Sequence, residues 1–595
     1  MSSPHTQADQ AASVTFGPFT LDPGAFALRR DGVAVKLERR PMELLLLLAA
    51  QEGRLVTREQ IADRLWGSAI HVEIDMGIHT AIRKLRRALG DVQACIETVP
   101  GKGYRFVAMP AAVAAPPPAG ARVVIAVLPF DIFSANPADA YIAAGLTDET
   151  IASLGQIDPE RLAVIGRTSA AAARSTARTL ADIGRDLGAG YLVEGSVRVE
   201  GGRLRVTCTL IEAPAQRQVW AASLDAEPLS MLAFQRELAA TIAAQIQMRL
   251  SDSRAGVLER RQTRDPAAYD LFLRGRHLAN QHKAGINEQA VACFAKATVA
   301  DPSYALAWAG IAETLAASPI NADVPHGAVA ERARGAAARA LQAGADLAEV
   351  QTAAAFVQFW LDWDWQRAET SLRAATLADP NYAIGHRMLG IVLAHLGLSV
   401  EARETMARGR ALEPLQAQMH ALSAQVAFYA RDFAAAIGHA RQALVVEPGF
   451  WIGHWQLAQA CAEAGQAEQA VEILERLRRG PGGNSKVLGL QGHVLAVLGR
   501  TEEACARLAH LAEAARSRFV PPYASALIHA GLGDADAALA ALEAAFAVRD
   551  VHLAFLPQDP KWDALRADPR FTDLVARCGF TGVPRPRPRL RAVGG

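Results

Sequence analysis

Thr80, Arg83, Lys84 and Arg87 recur at helical spacing inside IDMGIHTAIRKLRRAL, residues 74–89, and the chemistry such side chains offer is recognition of phosphates and base edges. Ile78, Ile82, Leu85 and Leu89 fall on the opposite stripe at three- and four-residue intervals, so one face is core and the other cationic. His79 and Arg86 flank the outward face. Duplex DNA carries about one negative charge per 1.7 Å of axis; a cationic ridge gains affinity by releasing counterions, and its Arg side chains can fork onto guanine. A solvated basic face is the competing reading of this helix taken alone.

Bond-making chemistry has no comparable residues. There is no G-x-x-x-x-G-K-[ST], H-E-x-x-H or G-x-S-x-G, and the 15 histidines are dispersed without an i, i+4 pair beside a carboxylate. The run GPGGNSK at 480–486 looks like a phosphate loop, but its Lys486 follows Ser485 and it lies between helix patterns, so a connecting loop is expected. No catalytic residue, metal or cofactor is expected, and the chain is not expected to be an enzyme.

The elements around the cationic helix must hold it outward. Residues 95–98 and 104–107 are β-prone runs joined by Pro100-Gly101-Lys102-Gly103, a tight hairpin with Lys102 at its tip. Residues 38–52 read as an apolar helix with Pro41 in its first turn and Gly53 past its end. Thr57 caps a second helix over 58–66, with Gln60 completing a capping box. Residues 16–21, 26–29 and 33–37 read as short strands.

In that order, LLLLLAAQEGRLVTREQIADRLWG, the Ile82, Leu85, Arg86, Leu89 spacing and ETVPGKGYRF resemble the OmpR/PhoB-type winged-helix DNA-binding domain over residues 14–108. The resemblance implies that the third helix enters the major groove, the wing touches the adjacent minor groove and the second helix lies on phosphates. Carried onto this sequence, it places Thr80, Arg83, Lys84 and Arg87 in the groove with His79 and Arg86 beside them. Arg58 and Trp66 fall on the backbone, and Thr98, Lys102 and Tyr104 on the wing side. Trp66 reads equally well as a core aromatic. Many members carry Arg where this chain has Pro100, so the minor-groove contact would pass to Lys102. The loop 67–73 corresponds to the stretch that meets RNA polymerase in related activators.

At 595 residues the chain exceeds one core, and three or four domains are expected. A formal net charge of +1 makes the basic footprint local. The six cysteines have no paired spacing, which points to free thiols in a reducing compartment. The polar start lacks an apolar signal core, and no run reaches the ~20 apolar residues a spanning helix needs, so a cytoplasmic location without membrane contact is expected. Residues 1–13 read as a disordered arm and the Pro/Ala-rich stretch within 109–121 as a tether.

Residues 122–252 alternate strand and helix patterns: strands at 123–128 and 162–165, helices at 139–154 and 180–187, a hairpin over 191–199 and 203–212, a strand at 218–224 and a closing helix at 229–250. Gly188, Gly190 and Gly195 lack the strand, G-x-G-x-x-G, helix order of a phosphate site and read as turns and close packing. IAVLPF, AGLTDETIASL, IGRTS and QVWAASLD resemble the TolB amino-terminal-like module, which implies a fold and no chemistry.

Pro380, Pro414 and Pro448 stand 34 residues apart, each after a helix with small residues in register: Ala368 and Ala375, Ala402 and Gly409, Ala436 and Ala443. Pro302 follows Ala290 and Ala297 in the same way. Small residues let paired helices approach and Pro ends the second one, a pattern that resembles tetratricopeptide repeats over 265–580, capped by 559–580. Such arrays commonly receive a peptide or protein on their concave face; Trp308, His386, His420, His454 and Trp455 are candidates for lining it, with packing between repeats as the alternative. Residues 581–595 read as a disordered tail.

The fold class expected is therefore multidomain α+β: a winged helix-turn-helix, an α/β mixed-sheet domain, then an all-α tetratricopeptide solenoid. The order resembles soluble ToxR/HilA-like regulators. Modules of the second and third kind also occur behind adenylate cyclase domains, but a DNA reader fills that slot here. The expected function is sequence-specific transcriptional regulation, with double-stranded DNA, RNA polymerase, a protein partner on the array and a second copy of the chain on DNA as partners. The alternative is a scaffold whose head holds nucleic acid nonspecifically.

Overall fold

An antiparallel meander opens the fold, β1 (Val14–Phe16), β2 (Phe19–Asp22), β3 (Ala27–Arg30) and β4 (Val33–Ala34). Helix α1 (Arg39–Ala50), strand β5 (Leu55–Thr57), helices α2 (Arg58–Trp66) and α3 (Ile74–Leu89), and the hairpin strands β6 (Ile96–Val99) and β7 (Gly103–Phe106) follow. The computed structural model describes residues 14–16, 19–30, 33–51, 55–66, 74–89, 95–99, 102–106, 122–136, 139–174, 178–200, 203–226, 238–239, 241–242, 244–245, 263–279, 286–480 and 484–582. The chain divides into two units, Met1–Gly120 and Ala121–Gly595. The expected arm, the loop 67–73, the tether at 110–120, most of the helix at 229–250, the middle of the 480–486 run and the basic tail lie outside the described residues.

In the first unit the leucine run of α1 supplies the core. Leu44, Leu45 and Leu48 are fully buried against Ile61 of α2 and Ile82, Leu85 and Leu89 of α3. Each such side chain contributes about 1.5–3 kcal/mol on leaving water. The capping box forms as read: Thr57 N–H donates to Gln60 Oε1 at 2.9 Å, and Gln60 N–H donates to Thr57 Oγ1 at 3.2 Å. Strand β5 was not anticipated; it pairs antiparallel with β7 and makes a three-stranded sheet in the order β5-β7-β6. That close pairing explains Gly103, where φ is +155° and a Cβ would run into the Val56 carbonyl.

In the second unit a mixed sheet has the order β10 (Leu162–Ile165), β8 (Val123–Val127), β11 (Tyr191–Glu200), β12 (Arg203–Glu212), β13 (Arg217–Ala226), with β9 (Asp131–Phe133) also on β11. The links among β8, β9, β10 and β11 are parallel and those of the β11-β12-β13 meander antiparallel. Helices α4 (Ala140–Gly155), α5 (Arg167–Arg174) and α6 (Leu180–Leu187) accompany it. Gly195 sits where a Cβ would come 2.8 Å from the Phe130 ring, and Gly188 ends α6 at φ +63°, so both glycines serve packing and turns.

Helix hairpins then run from Pro266–Ala279 to Ala535–Ala547. The small residues in the Pro register, Ala290, Ala297, Ala368, Ala375, Ala402, Ala436 and Ala443, are fully buried. The array and the α/β module form a joint interface. Asn381 Nδ2 donates to the Gly155 and Leu162 carbonyls at 2.9 and 3.0 Å. Arg276 reaches Asp148 at 3.0 Å and Glu149 at 3.4 Å, carboxylates buried in α4. The Glu413 carboxylate accepts from the Ser169 and Thr168 N–H groups at the start of α5, at 2.8 and 3.4 Å. An inter-repeat turn thus caps a helix of the neighbouring module.

The carboxy-terminal segment folds back along the repeats. Residues 551–562 are all buried; Arg431 holds Asp563 through two bonds of 2.8 Å, and Lys561 Nζ donates to Gln459 Oε1 at 3.1 Å. Phe580 stacks on Trp365 with centroids 4.3 Å apart, and Trp365 Nε1 donates to the Cys578 carbonyl at 2.9 Å. The end of the array therefore touches a helix more than 200 residues earlier in the chain.

Candidate nucleic-acid interface

Burial of one stripe orients α3. Ile78, Ala81, Ile82, Leu85 and Leu89 are buried, which leaves His79, Thr80, Arg83, Lys84 and Arg87 exposed on the other side. Among the described residues, no carboxylate stands within salt-bridge distance of Arg83 or Arg87, whereas Lys84 Nζ meets Glu38 Oε1 at 2.7 Å. Both partners are substantially exposed, so that surface pair contributes little and a phosphate can compete for the ammonium.

Between α3 and the hairpin lies a groove of about 500 Å³, walled by His79, Arg83, Arg86 and Arg87 on the helix and by Thr98 and Tyr104 on the strands. Arg86 braces the two walls, its Nη2 donating to the Ile96 carbonyl at 2.7 Å and to Thr98 Oγ1 at 2.8 Å. Tyr104 is only 1% exposed and its hydroxyl meets His79 Nδ1 at 3.2 Å. Two expectations change accordingly. Tyr104 belongs to the core and floors the groove, because its ring packs with Phe106 beneath α3, and Arg86 spends its hydrogen bonds inside the head.

The remaining nominated residues surround this groove. Lys102 is exposed at the hairpin tip, where its N–H closes the turn onto the Val99 carbonyl at 3.0 Å. Thr98 is exposed on β6, and Arg58 is half-buried at the start of α2. Trp66 ends α2 half-buried against Gly77, where a Cβ would lie 2.8 Å from its Cζ2, with the Arg40 guanidinium 5.1 Å over its ring. Its ring joins α2 to the first turn of α3, the packing role that had been one of its two readings.

Residues 32–106 match the family described as transcriptional regulatory protein, C terminal. The head is an OmpR/PhoB-type winged helix. Behind this winged helix, residues 121–241, read from the sequence as TolB-like, match the HilA/YgeH-like transcriptional regulator, second domain. Residues 364–416 and 422–484 match tetratricopeptide repeats. The chain is 34% identical over 199 residues to putative adenylate cyclase 3 of Rhizobium meliloti (strain 1021), covering 33% of each. It is 34% identical over 99 residues to the phosphate regulon transcriptional regulatory protein PhoB of Pseudomonas aeruginosa, 16% of this chain and 43% of that one. With the transcriptional regulatory protein HprR of Escherichia coli (strain K12) it shares 35% over 92 residues, 15% of this chain and 40% of the relative. The chain thus spans less than half the length of these relatives. Among solved structures, a thermophilic tetratricopeptide protein of Thermus thermophilus is similar at 17% identity and TM-score 0.28, over 33% of this chain and 98% of that one. Among the described residues no helix is long and apolar enough to cross a membrane.

The repeats hold most of the nominated partner residues in another role. His386 Nε2 bonds the Pro380 carbonyl at 3.0 Å, His420 Nε2 the Pro414 carbonyl at 2.8 Å and His454 Nε2 the Pro448 carbonyl at 2.8 Å. Trp308 Nε1 donates to the Pro302 carbonyl at 2.9 Å. Each residue stands six places after its repeat proline and fastens the turn that precedes its own helix. This is the packing role that stands as the alternative to lining a partner surface. Burial also pushes His386 and His420 below the usual imidazole range, which favours the neutral ring in this bond. Trp455 differs: it is 7% exposed and faces Lys486 and Lys561, two residues that the sequence reading had not nominated.

Proposed function

We propose that the chain is a cytoplasmic, sequence-specific DNA-binding transcriptional regulator without enzymatic activity, whose α/β and repeat body receives a partner or ligand that governs promoter binding. The observation that carries this reading is the exposed Arg83 and Arg87 pair over a groove walled by α3 and the wing, in a head of OmpR/PhoB type. Arginine at such a ridge can fork onto guanine O6 and N7, and Thr80 and Lys102 add contacts to bases or phosphates. Contact of the 67–73 loop with RNA polymerase, a protein partner on the array and pairing of two chains on adjacent half-sites belong to the same proposal; linked heads would reinforce each other.

The test is binding of the full chain to a randomised duplex library under rising salt. A regulator keeps a preferred sequence after salt has suppressed the background; loss of preference together with affinity would identify a scaffold with a nonspecific head. Because one relative is named a putative adenylate cyclase, the non-enzymatic part is checked by incubating the full chain with ATP and magnesium. Cyclic AMP above the level of heat-denatured protein would overturn it.

A further inference from the structure

Arg83, Lys84 and Arg87 are the cations of the outward row of α3, and among the described residues only Lys84 of these holds a carboxylate. Its Nζ stands 2.7 Å from both Oε1 and Oε2 of Glu38. Glu38 is the residue before α1, where its carbonyl accepts from the Met42 N–H at 3.1 Å and its side chain makes no capping bond. The carboxylate is therefore free to turn toward α3, and the burial of Leu44, Leu45 and Leu48 against α3 fixes the distance it spans. Both side chains are exposed, so wherever Lys84 reaches DNA the carboxylate arrives beside it.

In the major groove every base pair shows a keto oxygen, an acceptor, beside an amino group, a donor: guanine O6 with cytosine N4, or thymine O4 with adenine N6. Those two atoms share the base pair's own hydrogen bond and stand about 2.9 Å apart. Lys84 Nζ and the Glu38 oxygens have nearly the same spacing, 2.7 Å, so the dyad can lie against the two atoms with the ammonium on the keto oxygen and the carboxylate on the amino group. Turning the base pair over sets donor against donor and acceptor against acceptor.

A phosphate offers acceptors alone, and drawing Lys84 away leaves Glu38 facing the DNA backbone without a donor. A base edge satisfies both charges. Exposed ion pairs contribute little, so spreading this one to admit the edge costs little.

We propose that Glu38 is a base-reading residue acting with Lys84, and that the dyad selects a base pair with a keto base on the side of Lys84 and an amino base on the side of Glu38. G·C in that orientation ranks first, because guanine N7 gives the ammonium a second acceptor and no thymine methyl crowds the charges. This selection rests on the regulator reading above and adds to it a base pair of stated chemistry.

The experiment is selection by the full chain on a randomised duplex library, repeated with Glu38→Ala, Glu38→Gln and Lys84→Met. The native chain should favour the keto base over the amino base by about tenfold at one position. Glu38→Ala and Lys84→Met should each reduce that factor at the same position, and joining them should cost no more preference than the stronger one alone. Glu38→Gln, whose amide fits adenine N6 and N7, should move the favoured pair from G·C to T·A in the same orientation. Glu38 is exposed and its side chain caps nothing, so these variants leave the fold of α1 intact. The proposal is overturned if Glu38→Ala raises affinity for all sequences alike, the mark of plain repulsion from phosphate, or if Glu38→Ala and Lys84→Met act at different positions. A native chain with no preferred sequence sinks the regulator reading and this one with it, whereas a native preference that survives Glu38→Ala at every position sinks this one alone.

Discussion

Arg86→Met tests whether α3 and the wing grip DNA as one piece. The substitution removes a guanidinium that bonds the Ile96 carbonyl at 2.7 Å and Thr98 Oγ1 at 2.8 Å, while the methionine keeps most of the apolar stem. Hydrogen bonds to charged groups contribute about 1.5–3 kcal/mol each. Arg86 is half-buried and Thr98 exposed, so water recovers part of the loss; about 1–2 kcal/mol in total is the expected cost. That corresponds to a factor of roughly 5–30 in the opening equilibrium of the hairpin. Hydrogen exchange on the full chain should show this loss of protection in residues 95–106 and none in α1. Affinity for duplexes should fall by at most that factor, in proportion to the loss of the closed fraction, and whatever the sequence, since alignment of the two walls is lost rather than a base contact. Unchanged protection in the hairpin would refute the reasoning, and an affinity loss confined to one base position would make Arg86 a base reader.

Other perturbations separate the remaining roles. Arg83→Ala should cost about 1–3 kcal/mol at one base position and relax preference there, whereas Lys102→Ala should weaken all sequences alike and lower the salt slope by about one; library selection with each variant distinguishes the two patterns. Burial pushes the Glu413 carboxyl above its usual 4.5 despite the bonds from Ser169 and Thr168. The native chain therefore holds that proton more tightly than the unfolded chain, and the contribution of Glu413 is fullest below pH 4.5 and declines as pH rises through the raised native value. Urea melts should accordingly shift in favour of Glu413→Gln over that window, and a pH-independent difference would count against the buried contact. His420→Ala should lower the stability of the array by about 0.5–1.5 kcal/mol through the lost turn bond, read from the urea midpoint, with DNA preference unaltered.

The head was legible because its signals are local. Thr57 and Gln60 stand at capping-box spacing and form both bonds, and the stripe from Ile78 to Leu89 leaves a single way to turn α3. Strand β5 was not legible, since Leu55 to Thr57 becomes a strand only when β7 lies beside it. Helix α5 escaped for a similar reason: its first N–H groups are satisfied by Glu413, more than 240 residues away. The bracing histidines did leave a trace. Pro302 to Trp308, Pro380 to His386, Pro414 to His420 and Pro448 to His454 are each six residues apart, and a constant distance from the turn proline points to the turn rather than to a concave surface. Tyr104 and Arg86 could not be told from groove residues without knowing how near the hairpin comes to α3.

The stack of Phe580 on Trp365 limits how this array can change. An open solenoid gains or loses a unit at modest cost, because each unit touches only its neighbours. Here a helix pair duplicated between the two rings would displace one from the other and drag the Arg431 to Asp563 clasp out of alignment. The number of units between these residues is therefore set by a clasp at fixed reach, and diversification of such chains would proceed by exchanging surface side chains rather than by lengthening.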